Sequence, residues 1–76
     1  MRYVDDVRYA LMQLGGEGCF EDICRLVRDY RAERRETLSL LGEWVQSTLQ
    51  QNSRGIGRDI FELALVEEGK STWKLK

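Results

Sequence analysis

Near Arg58 the spacing of apolar residues changes from that of a helix to that of a strand, and this switch restricts the chain to folds that end in a β-hairpin. Before it, apolar residues recur at three- and four-residue intervals, the signature of amphipathic helices. After it, within 59–66, Phe61, Leu63 and Leu65 share one face, with Ile60, Glu62 and Ala64 on the other, as in a half-buried strand. Residues 67–71, Glu-Glu-Gly-Lys-Ser, read as a turn. In 72–76 the alternation returns, with Trp73 and Leu75 facing in and Lys74 and Lys76 facing out.

Three helical stretches precede the switch. Val4, Val7, Ala10, Leu11 and Leu14 form one stripe and predict a helix from Tyr3 to Leu14. Asp5 and Asp6 in its first turn complement the helix dipole, and Gly15-Gly16 ends it. Residues 17–20 read as a short extended connector, placed to give a third strand. A second helix is expected from Glu21 to Arg35, with Phe20, Ile23, Leu26, Val27 and Tyr30 on its buried side. Its arginines, Arg25, Arg28, Arg31, Arg34 and Arg35, are interleaved with acids and suggest a surface ion network that includes a Glu21–Arg25 pair. Thr37 or Ser39 is the expected N-cap of a third helix reaching Gln51. Leu41, Trp44, Val45, Thr48 and Leu49 are its core stripe, and Glu43, Gln46, Ser47, Gln50 and Gln51 its opposite face. A polar, glycine-containing loop covers 52–58. With 76 residues and no linker, the whole chain, 1–76, is one α+β domain: a three-helix bundle followed by a hairpin, the order of a winged helix.

The residues from Val45 to Leu75 carry a closer likeness. Val45 within the third helix, Leu49-Gln50, Asn52-Ser53, Asp59-Ile60-Phe61, Gly69, Trp73 and Leu75 occur in that order. This pattern resembles the small winged helix-turn-helix modules of bacterial restriction endonucleases and the related HARE-HTH domains of chromatin and restriction proteins. The first two helices agree by pattern only. The resemblance implies binding of double-stranded DNA, base-modified duplex included, beside an attached catalytic domain in a restriction-type or regulatory protein. The chain departs from the pattern at Gln46, where an arginine is common.

Composition narrows the chemistry. There is no histidine, so the commonest general base and metal ligand is missing. The acidic pairs Asp5-Asp6, Glu21-Asp22 and Glu67-Glu68 have no apolar surroundings to raise a pKa. Cys19 and Cys24 lack the partners of a zinc site and read as reduced thiols of a cytoplasmic protein. No enzyme activity, cofactor or metal is expected. No run reaches the roughly 18 apolar residues of a membrane span, and no export signal is visible. Formal charge is −1, with seven basic and eight acidic groups in 1–36 and five of each in 37–76, so there is no basic arm.

A DNA-binding surface would therefore be local. Its candidate residues are Gln46, Ser47, Gln50 and Gln51 on the third helix, with Asn52 following. Arg54 and Arg58 flank the glycine loop, and Lys70 and Lys74 lie on the wing. Gln and Asn pair with adenine through two hydrogen bonds; Arg and Lys meet phosphates. The same residues are also consistent with a solvated helix face, a solubilised connector and edge-strand lysines that discourage aggregation. The acids at Glu43, Glu67 and Glu68 keep open a second function: a protein–protein interaction domain, acting as a homodimer or adaptor.

Overall fold

The computed structural model describes residues 3–76. It is an α+β fold of three helices and a three-stranded antiparallel sheet. The elements run α1 (Tyr3–Gln13), β1 (Glu17–Cys19), α2 (Phe20–Glu33), α3 (Leu41–Gln51), β2 (Phe61–Glu67) and β3 (Lys70–Leu75). The sheet order is β1-β3-β2. The connector before α2 is thus the third strand, with Gly18 opposite Trp73 and Cys19 opposite Thr72.

The helical stripes bury as their spacing predicts. Val7, Ala10 and Leu11 of α1, Ile23 and Val27 of α2, and Val45 and Leu49 of α3 form one core with Phe61 and Trp73. Removal of apolar area from water is the main force holding so small a domain together. Helix α1 closes with Gly16 N–H on the Leu11 carbonyl at 2.7 Å. Both cysteines are free thiols, and burial pushes the Cys24 thiol pKa up.

Four expectations are corrected. Neither Thr37 nor Ser39 caps α3. Leu40 occupies the cap position with φ 57°, without a side-chain cap bond, while the Thr37 hydroxyl accepts from Ser39 N–H. The reason lies on α2, where Arg31 Nε donates to the Thr37 carbonyl and pins the segment. Trp44 is not core: it is 54% exposed and stacks on Tyr3 at 5.9 Å. It falls at the edge of the stripe centred on Val45 and Thr48, which already closes the core side of α3.

The hairpin departs in register. Leu63 faces Trp73, yet Leu65 faces Thr72, so β2 advances two residues against one on β3. Such a bulge turns the following side chains over, and Leu65, expected inside, is 53% exposed. The turn is also tighter than 67–71. Glu67 pairs with Lys70, leaving Glu68 (φ 51°) and Gly69 (φ 76°) to reverse the chain. Two successive positive φ values match the twist of a two-residue hairpin.

The fourth correction concerns charge. Asp6 is 1% exposed rather than a solvated dipole partner. Arg34 Nη2 donates to both its oxygens, at 2.9 and 2.8 Å, and Arg31 Nη1 to one at 3.2 Å. Arg31 also pairs with Glu36 and lies 4.0 Å over the Tyr3 ring. The Arg34 guanidinium holds the Glu36 carboxyl down at about 2. Arg31 of α2 and Arg34, just after its last turn, therefore tie α1 to the α2–α3 connector instead of forming a surface network. The pair at the start of α2 is Arg25–Asp22 at 3.4 Å, not Glu21–Arg25.

Candidate nucleic-acid interface

Helix α3 and the hairpin are held at a fixed angle by residues 52–59. Ile60 and Phe61 N–H both donate to the Asn52 carbonyl, at 2.9 and 3.1 Å. The Asn52 side chain donates to the Thr48 carbonyl at 2.8 Å and accepts from Arg58 N–H at 3.0 Å. Ser53, which is buried, donates to the Gln50 carbonyl at 3.1 Å. Asp59 accepts from Gly55 N–H at 2.8 Å and from Lys76, and these donors, Lys76 foremost, lower its pKa. Gly57 has φ +59°, and a Cβ there would run into the Gln51 carbonyl oxygen and lie 2.7 Å from Asn52 Oδ1. Only glycine fits where this loop recrosses the end of α3.

The result is a groove of about 580 Å³ between α3 and the hairpin. Gln46 and Gln50 line it from α3, Arg54 from the loop, and Lys70 from the hairpin. Among the described residues none of these four side chains has a hydrogen-bond or ion-pair partner. Ser47 lies alongside, on a ridge with Gly42, Glu43, Gln46 and Gln50 that borders a second depression.

The other candidates are engaged elsewhere. Gln51 donates to the Ser47 hydroxyl at 3.2 Å. Asn52 is the tie described above. Arg58 pairs with Asp5 of α1 at 3.3 Å, and Lys74 with Glu62 at 3.4 Å. Sequence reasoning placed all four by their polarity. It had no means of seeing that partners, on other elements for Arg58 and Lys74 and within α3 for Gln51, would take them.

What it missed is the apolar character of the groove. Phe20, Leu63 and Trp73 line it, as do the exposed Ile56 and Val66. Trp73 directs its ring inward while Nε1 donates to the Ser71 hydroxyl at 3.0 Å. Leu63 and Val66 fall on opposite sides of the bulge, which no alternating pattern discloses. Glu21 is also in the lining and adds one carboxylate to the two cations.

Among the described residues no group of three or more His, Cys, Asp or Glu is placed to hold a metal ion, and no helix is long and apolar enough to cross a membrane. Compared with protein-family models, curated proteins and solved structures, the chain gives no match.

Proposed function

We propose that this domain is a winged helix-turn-helix module that binds duplex DNA, with α3 as the recognition helix and the β2–β3 hairpin as the wing. One observation carries the reading. Gln46, Gln50, Arg54 and Lys70 come from three separate elements to one groove, and no other described residue of the protein engages their side chains. The element order, with a short strand between the first two helices and a hairpin after the third, supports the same assignment. The amides suit base edges and the cations suit phosphate. Base-modified duplex and an attached catalytic domain, implied by the family resemblance, belong to this same proposal.

The ion pairs make the reading quantitative. Arg58, Lys74 and Lys76 already have half-exposed carboxylate partners within the protein, so Arg54 and Lys70 are the unengaged cations of the candidate surface. Each neutralised phosphate contributes about −0.9 to the slope of log K against log salt, so the expected slope is roughly −2. Fluorescence anisotropy of a labelled duplex at several salt concentrations measures it, and Arg54→Ala is expected to bring it near −1. Absence of binding to plain and base-modified duplex at low salt rejects the proposal.

A second reading, protein–protein interaction, is favoured by a different surface. Leu38, Leu40 and Trp44 are all exposed near the start of α3, a grouping that water does not reward. In this reading light scattering shows a dimer at high concentration, and the emission of Trp44 shifts to the blue as it forms. A monomer with unshifted emission excludes self-association through this patch.

A further inference from the structure

We infer that α3 reads adenine on A·T pairs through Gln46 and Gln50, and is ill-suited to guanine. This deepens the DNA-binding proposal and rests on it. The two glutamines are four residues apart, so they stand one above the other on the same face of the helix, about 6 Å apart along its axis. Both line the groove and the adjoining ridge. Their carboxamides have no partner among the described residues, so both the donor and the acceptor of each are available.

The chemistry of the ridge separates the bases. Adenine shows N7 as an acceptor and N6 as a donor in the major groove, which a carboxamide matches with two hydrogen bonds. Guanine shows two acceptors, N7 and O6, and is best met by Arg or Lys. The ridge residues Gly42, Glu43, Gln46, Ser47 and Gln50 include neither; the cations of the groove, Arg54 and Lys70, stand off the helix, on the loop and the hairpin, where they meet phosphate. Glu43 is exposed and accepts only. It complements the exocyclic amino group of adenine or of cytosine and does not itself separate A·T from G·C. Ser47 accepts from Gln51 and keeps its O–H donor, which suits either base, so the two glutamines are the selective readers. The exposed Ile56 and Val66 at the edge of the groove offer apolar contact to the thymine methyl group that accompanies each adenine.

The test is an anisotropy titration of the full chain, at low salt, against duplexes of one length. Their cores are A·T only, G·C only, and A·T with 7-deazaadenine, which lacks the N7 acceptor. The expected result is about ten-fold tighter binding to A·T than to G·C, with most of the advantage lost on 7-deazaadenine. The double substitution Gln46→Ala and Gln50→Ala, with folding checked by thermal melting, is expected to bring the A·T and G·C affinities together while leaving the salt slope unchanged. Equal binding to A·T and G·C by the unaltered chain overturns adenine reading and leaves DNA binding standing. An A·T preference that survives both 7-deazaadenine and the double substitution assigns the selectivity to duplex shape and also overturns it. No binding to any duplex overturns this inference and the function it rests on together.

Discussion

Asp6→Ala is expected to lower the unfolding free energy by about 3–5 kcal/mol, because it removes the buried carboxylate that Arg31 and Arg34 share. Arg31 is nearly as buried as Asp6, and its remaining carboxylate partner, Glu36, is shared with Arg34. The aspartate meets both arginines, so its loss frees α1 from α2 and from the Thr37 segment that Arg31 holds. A domain of this size has a total stability of order 4–11 kcal/mol at roughly 0.05–0.15 kcal/mol per residue, so the loss is a large share of the total and lowers the urea midpoint accordingly. Urea titration followed by circular dichroism measures the loss. Asp5→Ala is the control, since its pair with Arg58 is half-exposed on both sides and surface pairs contribute about 0–1 kcal/mol. Equal losses from the two substitutions would show that the Asp6 network is no stronger than a surface bridge.

The second large effect is expected at Phe61. Its side chain is fully buried, and its backbone is held by Asn52 on one side and by Leu75 of β3 on the other. Phe61→Ala removes a ring from the place where the end of α3, the loop and the first residue of β2 converge. Truncation of a buried phenylalanine costs about 3–5 kcal/mol, as lost transfer free energy plus a cavity. Leu65→Ala, on the same strand but past the bulge, is expected to cost under about 0.5 kcal/mol, as exposed substitutions do. If urea midpoints show the two leucine- and phenylalanine-deleted proteins to be equally stable, the inward assignment of Phe61 is wrong. Because Phe61 is buried where the end of α3 meets the hairpin, its truncation is also expected to weaken the binding of any ligand held between them.

The switch of period near Arg58 made the three helices and the hairpin legible, since burial of one face is imposed by residue spacing alone. Gly15-Gly16 and the Glu68-Gly69 region were legible as stops for the same local reason. The features that escaped depend on residues distant in sequence. Nothing around Asp6 announces that Arg31 and Arg34 will meet it across two helices. Thr37 and Ser39 are good capping residues, yet the Arg31 bond holds Thr37 away from the helix end. The bulge at Leu63 and Leu65 interrupts an alternation that looks unbroken. In the interface, the type of residue was readable and its availability was not: Arg54 and Arg58 look alike in sequence, but only Arg58 lies within reach of Asp5.

The position of β3 in the sheet bears on how the molecule comes into being. The strand formed last during synthesis is the central one, flanked by β1 and β2, and Leu75 N–H donates to the Gly16 carbonyl at 2.8 Å. While the ribosome still holds residues 70–75, β1 and β2 have no partner between them, and the core lacks the Trp73 ring. Helical stretches with local contacts form early, whereas this distant pairing waits until residues 70–75 have left the ribosome. Folding of this domain is therefore completed after translation of its final strand, with both outer strands open to wrong partners until then.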